Sequence, residues 1–281
     1  MHSQGWLYLK ALTRPWWMIL RLAARKFFQI DGAQWAGSFA FHAFFSLFPL
    51  MVLLVTIITI FIDQERAATA IIVYVETYVP IDGDMQSYIF DTIAGVINAR
   101  AKAGAAAFII LNWVTLQLFT TLVSATNRAW GVAAYSWWQR PLKSLLLLWT
   151  TAGVVLLSTG VLILAQMAND WLFPMNNLHF NVYALGSFLI PLLVVFFGLS
   201  LFYRLAPRRP TVFSEVWVAA LCTTALLLVA EGLFVTYLKH FATLNAVYGA
   251  FGGIMALLLW IYLTGGIFIF GACLCAAQAE A

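Results

Sequence analysis

Charged side chains are scarce in this 281-residue sequence, because Asp, Glu, Lys and Arg together make up only 9% of it. Soluble domains average about 25%, and so few charges could not keep a folded surface in water. The three cysteines all lie in hydrophobic runs, so no disulfide outside the membrane is expected. HExxH, GxSxG and P-loop motifs are absent, as is any Asp/His cluster suited to a catalytic metal. We therefore expect a membrane protein that is not an enzyme and holds no metal or cofactor.

Long hydrophobic runs dominate what is present. Hydrophobic residues make up 63% of the chain, and the mean hydropathy is +0.91. The longest stretch, residues 241–279, contains no Asp, Glu, Lys or Arg. A membrane helix needs about 20 apolar residues to cross a hydrocarbon core of roughly 30 Å. The sequence predicts an all-α, polytopic membrane bundle of six transmembrane helices, over residues 33–62, 103–127, 144–168, 181–203, 211–238 and 254–275.

Positive charge is unevenly distributed between the loops that join these spans. With the amino terminus inside, eleven of the fifteen Lys and Arg residues fall on the inner side, and the outer side receives Arg66, Arg100, Lys102 and Lys239. This asymmetry follows the positive-inside rule, so we predict that both termini face the cytoplasm at a bacterial inner membrane. It also explains the basic pI near 9.0 without nucleic acid, since the arginines occupy short turns and form no continuous groove.

Two segments outside the spans predict further helices. Residues 1–30 combine five basic residues with aromatic residues and contain no acid. They predict either an amphipathic helix in the headgroup region or a basic flank that only sets topology. Residues 63–102 have apolar side chains at three- and four-residue spacing, which predicts an outer cap of two short helices, over 68–79 and 85–97. We therefore divide the chain into a basic cytoplasmic segment, 1–30, and a membrane domain, 31–281.

Polar residues within the spans are the candidate functional residues, because an ionisable group in lipid is costly and usually faces an interior or a cavity. Counting along the helices places His42 and Asn112 near the membrane midplane and Glu231 nearer the outer face. These residues could line a polar cavity, or each could make one hydrogen bond between helices. The candidate cavity or substrate residues are His42, Asn112, Glu231, Asp31, Arg128, Arg140 and Tyr248.

Two prolines occupy corresponding places in the two halves of the predicted bundle. Pro49 lies in the first span and Pro191 in the fourth, and each is expected to kink its helix. Three spans in each half would give the halves opposite orientations. Inverted repeats with interrupted helices are typical of transporters that bind their substrates near the midplane.

Four stretches of the chain resemble a known family. They are DGAQWAGSFAFHAFFSLFPLMVLL at 31–54, NRAWGV at 127–132, the Arg140-Pro141 step, and YGAFGGIMALLLWIYLTGGIFIFGACLCA at 248–276. Together with the spacing of the spans, they make the chain similar to the YihY/BrkB-like family of bacterial inner-membrane proteins, formerly labelled ribonuclease BN. The resemblance implies six spans and no ribonuclease activity. Where the family commonly has an acid near the end of the last span, this chain has Cys273.

Two functions are consistent with these features. The first is a transporter or exporter of a small solute or lipid-like molecule, with a cavity bounded by spans one, two, five and six. The second is a non-transporting envelope-integrity or scaffold protein that binds lipids or partner proteins. In either case membrane lipids are expected partners, and Gly249 and Gly253 offer a close helix contact, within the chain or in a homo-oligomer.

Overall fold

The computed structural model describes residues 16–61, 83–133, 135–136, 138–172, 179–241 and 250–280. Within these ranges the chain is all-α, which confirms the predicted class. Seven helices follow in order: α1 (Trp16–Gln29), α2 (Gly32–Phe61), α3 (Gly83–Ala129), α4 (Gln139–Leu172), α5 (His179–Leu205), α6 (Phe213–Phe241) and α7 (Ala250–Glu280).

Four of these helices are long and apolar enough to cross a membrane. The qualifying stretches overlap the predicted first, second, fifth and sixth spans, and they are Gly32–Leu54, Lys102–Ala129, Phe213–Lys239 and Gly252–Glu280. The predicted third span falls on α4. The predicted fourth falls on α5, whose described apolar stretch, Leu189–Leu205, is shorter than a full crossing. The count of six spans and the N-in/C-in orientation therefore stay predictions.

The predicted outer cap needs one correction. Its second helix, over 85–97, is not a separate element, because α3 runs without a break from Gly83 to Ala129, about 70 Å at the usual rise. The sequence between 97 and 108 contains no proline and is rich in alanine, the strongest helix former. An isolated glycine such as Gly104 does not stop a helix, and here it packs against Thr56. The first predicted cap helix, over 68–79, lies outside the described residues.

The basic amino-terminal segment contains a helix, as one of the two interpretations predicted. In α1, Ile19 and Ala23 are buried, while Trp17 and Phe28 are largely exposed. The helix packs against α7. α1 is therefore an amphipathic helix that is also a structural part of the bundle. Residues 1–15 are not among those described.

The described helices fall into two compact units. One unit lies within His42–Thr115, and the other lies within Met1–Phe41 and Leu116–Ala281. In the larger unit α7 packs against α1 and α6, α6 packs against α5, and α5 packs against α4. Its fully buried side chains include many small residues, among them Ala219, Ala220, Cys273, Cys275 and Ala276. Small side chains let membrane helices approach closely.

A tight contact joins α5, α6 and α7 in this core. The Tyr203 hydroxyl on α5 donates a hydrogen bond of 2.8 Å to the Phe268 carbonyl of α7, and the two rings lie 5.2 Å apart. The Tyr203 hydroxyl and Thr223 Oγ1 together occupy the place that a Cβ at residue 271 would need. Gly271 therefore allows the three helices to meet.

Candidate functional site

Two of the predicted cavity residues, His42 and Asn112, lie in the smaller unit. His42 is half-buried on α2. The Asn112 Nδ2 donates to the Phe108 carbonyl one turn earlier in α3, at 2.8 Å. This bond is within one helix, so neither of the two roles that the sequence suggested for Asn112, an interhelical bond or cavity lining, is tested by it. Whether either residue contacts a substrate stays a prediction.

Asp31 and Arg128 are brought together around Trp35 in the larger unit. Asp31 forms the corner between α1 and α2 with a φ of 58°, a left-handed conformation that Asp tolerates better than most residues. Its carbonyl accepts the backbone N–H groups of Gln34 and Trp35. The Arg128 guanidinium lies over the Trp35 ring, 5.2 Å from its centre. This corner thus has a clear structural role.

Glu231 is not part of that arrangement. Glu231 is exposed on α6, sixteen residues beyond Glu215, or about 24 Å along the helix. No hydrogen bond or ion pair joins Glu231 to another residue in the part of the chain that is described. Tyr248 lies outside the described residues.

The two prolines that were expected to produce kinks lie within continuous helices. α2 continues through Pro49 and α5 through Pro191. A proline inside a helix lacks the N–H that would bond to the carbonyl four residues earlier. A helix that continues through a proline can be straight or bent, so the two kinks stay predictions.

The NRAWGV stretch forms the end of α3. The Gly131 N–H bonds to the Arg128 carbonyl at 3.0 Å, and the Val132 N–H bonds to the Asn127 carbonyl at 3.0 Å. This pair of bonds, with Gly131 at a φ of +64°, is a Schellman motif. Glycine at this position avoids the steric cost of left-handed backbone, so the motif turns the chain sharply out of the helix.

Asn127 fastens this helix end to the turn between α5 and α6. Its buried side chain donates to the Val123 carbonyl at 2.9 Å and accepts the Arg208 backbone N–H at 2.8 Å. The next residue, Arg209, pairs with Glu215 at 2.8 Å and stacks over the Trp130 ring at 4.6 Å. The basic turn is therefore an ordered part of the bundle.

Tyr135 is the centre of a cationic cluster, which we call the Tyr135 cluster and define as Tyr135, Arg140, Lys143 and Arg208. The Arg140 Nε donates to the Tyr135 carbonyl at 2.7 Å. The Lys143 Nζ and the Arg208 Cζ each lie 5.9 Å from the centre of the Tyr135 ring. The phenol hydroxyl donates to the Pro207 carbonyl at 3.1 Å, which holds the ring in place.

Partial burial changes the acid–base behaviour of this cluster. It raises the pKa of Tyr135, an effect that Arg208 opposes, so the phenol is neutral near pH 7. Burial also lowers the pKa of Lys143. The ring can therefore offer these cations only the negative face of its π-system, an attraction of about 0.5–1 kcal/mol at exposed sites. Such a cluster is suited to binding an anion.

Sequence reasoning identified Arg140 but missed the role of its partners. Lys143 and Arg208 were interpreted only as topology signals, and Tyr135 was not singled out. The available signal was the alternation of aromatic and basic residues over 128–143, RAWGVAAYSWWQRPLK. Arg208 carries no comparable signal, since it is more than sixty residues away in the chain.

A second feature is an apolar groove of about 260 Å³ between α1, α2 and α7. It is lined by Phe27, Ala36, Tyr262, Leu263, Gly266, Ile267 and Phe270. Tyr262 and Leu263 are both exposed, so the groove opens on a surface that an apolar helix presents to lipid. It is suited to an apolar chain and offers little to a hydrophilic solute.

Comparison with known proteins connects these features to a family. The sequence profile of the family described as "Virulence factor BrkB" matches residues 23–281. The chain belongs to the BrkB family. The resemblance drawn from the sequence is thus confirmed, and the match to the BrkB family includes every residue of the Tyr135 cluster and the groove.

Individual relatives of this BrkB-family chain are named as membrane proteins. A UPF0761 membrane protein of Prosthecochloris aestuarii is 27% identical over 70% of this chain and 45% of its own length. One of Chromobacterium violaceum is 31% identical over 61% and 40%, respectively, and one of Idiomarina loihiensis is 25% identical over 72% and 69%. The chain spans less than half the length of the first two relatives. No solved structure matches it.

Proposed function

We propose that this BrkB-family membrane protein is a transporter that moves a small solute or lipid-like molecule across a bacterial inner membrane. In this proposal it is not an enzyme, and its six spans place both termini in the cytoplasm. The observation that carries the proposal is the apolar groove beside Leu263 and Gly266. A lipid can enter such a groove sideways from the bilayer, so the groove favours the lipid-like class over a hydrophilic solute.

The uneven distribution of Lys and Arg supports the proposed orientation. The cations of the Tyr135 cluster, together with Arg128 and Arg209, all lie at the end of the bundle where α3 and α5 finish and α4 and α6 begin. By the positive-inside rule this end faces the cytoplasm. A lipid in the groove would then have its headgroup close to basic side chains.

Passage of a labelled lipid through reconstituted protein tests the transport function. The purified chain is placed in liposomes that contain a fluorescent phospholipid, and dithionite bleaches the label on the outer leaflet. We expect bleaching to exceed the outer-leaflet fraction of protein-free vesicles. No excess, with or without an imposed proton gradient, would contradict transport of this lipid class.

Two variants connect that assay to the groove. Leu263→Trp fills the groove from the α7 side and should slow passage, because the larger ring occupies the space of an apolar chain. Leu259→Trp is the matched control, since Leu259 is one turn away on the same helix, is similarly exposed and does not line the groove. Equal rates for both variants would exclude the groove from the path.

Two further variants test the predicted polar residues in the same lipid-passage assay. Glu231→Gln and His42→Gln remove the ionisable groups that the sequence proposes as cavity residues. If either group handles protons or substrate, its loss should slow passage without changing the amount of folded protein. Unchanged rates for both would separate these residues from transport.

A non-transporting scaffold is the second candidate, and hydroxyl pairing between helices favours it. Ser38 on α2 and Thr121 on α3 are 3.5 Å apart, and Thr120 on α3 and Ser144 on α4 are 3.0 Å apart. Such bonds join helices without leaving polar groups for a substrate. An inactive flux assay combined with an envelope defect in cells lacking the protein would support this candidate.

The scaffold hypothesis includes a homo-oligomer formed through Gly249 and Gly253. Gly249 lies outside the described residues, but Gly253 is on α7, where an added Cβ would meet no atom within 4 Å. Chemical crosslinking in native membranes, compared between the natural chain and Gly253→Leu, tests this contact. A dimer that resists Gly253→Leu would show that this face is not the interface.

A further inference from the structure

Two cations of the Tyr135 cluster, Arg140 and Lys143, give it positive charge that bears on what it can bind. Arg140 and Lys143 face no carboxylate in the described part of the chain. Two other cations at this end of the bundle do have one, because Arg209 pairs with Glu215 at 2.8 Å and Lys26 pairs with Glu280 at 2.7 Å. Arg140 and Lys143 therefore leave positive charge in the cluster that an external anion can neutralise.

The local backbone adds to this positive potential. Arg140 and Lys143 both lie in the first turns of α4, which begins at Gln139. The amino-terminal end of a helix carries partial positive charge, and its first N–H groups attract anions such as phosphate. The side chains and the helix end thus act in the same direction.

The surface beside the cluster identifies the source of the anion. Leu142, Leu146 and Trp149 follow at intervals of four and three residues, and therefore line one face of α4. They are 69%, 46% and 74% exposed, respectively. This exposed apolar face starts in the first turn of α4, the turn that also contains Arg140. A headgroup at this helix end and an acyl chain along the apolar face would therefore be adjacent, as they are in a phospholipid.

We propose that Arg140, Lys143 and Arg208 bind the phosphate group of an anionic phospholipid, whose acyl chain lies along Leu142, Leu146 and Trp149. Basic pockets between helices on the cytoplasmic side of membrane proteins are suited to such headgroups. This site is separate from the apolar groove and does not rest on transport. A protein that carries no lipid across the membrane could still hold one here.

Titration of the delipidated full-length chain in a nonionic detergent, followed by native mass spectrometry, tests the site. Phosphatidylglycerol should bind at one molecule per chain, and phosphatidylcholine with the same acyl chains should bind more weakly. Equal binding of the two lipids would overturn the proposal. Inorganic phosphate is the third probe, and displacement of phosphatidylglycerol by an equal concentration of phosphate would also overturn it, since the site would then be one for free phosphate.

Substitutions show whether the binding is local. Lys143→Gln and Arg208→Gln should each weaken phosphatidylglycerol binding about fivefold, from roughly 1 kcal/mol per basic side chain. Lys143→Arg keeps the charge and should bind like the natural chain. Arg204→Gln is the matched control, because Arg204 is exposed on the adjacent end of α5 and outside the cluster.

An equal loss for Arg204→Gln and Lys143→Gln would show diffuse attraction and contradict a site. If Lys143→Gln fails to fold, Arg208→Gln still decides the question, because the bond from the Arg208 backbone N–H to Asn127 is kept in this variant, and an unchanged Tm would show that it is folded. Retention of tight binding in Arg208→Gln together with Arg140→Gln would overturn the assignment.

Discussion

The two halves of α7 have the same apolar character and opposite surroundings. Between residues 252 and 263, the large apolar side chains are mostly exposed, and these include Ile254, Met255, Leu257, Leu259, Tyr262 and Leu263. Between residues 271 and 277, every residue is buried, and all except Leu274 are small. The larger and more apolar side chains thus lie outside, and the smaller ones lie inside.

This difference shows what decides burial in this protein. In water, a large apolar side chain gains free energy by leaving the surface. In a bilayer the surroundings are as apolar as the core, and close packing of small residues becomes the main source of helix association. The second half of α7 therefore packs through Gly271, Cys273 and Cys275, while the leucines of the first half face lipid.

Among the variants that test this difference between the two halves of α7, Gly271→Ala should lower the free energy of unfolding most. The new Cβ would collide with the Tyr203 hydroxyl and Thr223 Oγ1, both fixed in a fully buried contact. Overpacking of this kind costs about 3 kcal/mol of the free energy of unfolding, which thermal unfolding in detergent would show as a lower Tm.

The control for Gly271→Ala comes from the exposed half of the same helix. Gly253→Ala meets no atom within 4 Å, so the free energy of unfolding should change by no more than about 1 kcal/mol, in the stabilising direction. Equal Tm values for the two variants would mean that close packing at residue 271 does not hold the helices together.

Leu274→Ala should have an intermediate effect. Leu274 is 1% exposed, so its truncation leaves a cavity. In a bilayer the side chain is not transferred from water, and the cost falls near the low end of the usual range, at about 2 kcal/mol of the free energy of unfolding. Leu259→Ala, at a residue 45% exposed, should change it by less than about 0.5 kcal/mol. A similar loss in both variants would show that lipid contact and core contact stabilise equally.

Hydropathy was sufficient to predict the apolar helices but not which of their faces are buried. The long uncharged run at 241–279 predicted α7, and the same reasoning located α2, α3 and α6. Hydropathy gave the wrong start for α3. The polar residues over 83–102 end the apolar span, but they do not end the helix, because helix formation depends on the backbone propensity of the residues. A helix can leave the apolar region and continue through alanine-rich sequence.

The candidate site was less accessible to sequence reasoning, for a geometric reason. Arg140 was identified, but the Tyr135 cluster depends on contacts between two separate segments of the chain, residues 135–143 and Arg208. Gly271 was also missed, because a glycine in an apolar helix shows nothing of the partner that requires it. By contrast, the hydrophobic run around Cys273 and Cys275 was visible in the sequence, and both side chains are buried in the core.

Tyr203→Phe should have the smallest effect by itself and the most informative effect in combination. It removes the hydrogen bond to the Phe268 carbonyl, a loss of about 1 kcal/mol of the free energy of unfolding. The exposed residue of the same type, Tyr262, provides the control, since Tyr262→Phe should leave the Tm unchanged. In the Gly271→Ala background, however, Tyr203→Phe removes the hydroxyl oxygen, one of the three atoms that lie too close to the new Cβ. The double variant should then be at least as stable as Gly271→Ala alone, a non-additivity expected only of residues in direct contact. Additive losses would instead mean that Gly271 and Tyr203 act independently, and the buried half of α7 would need a different explanation.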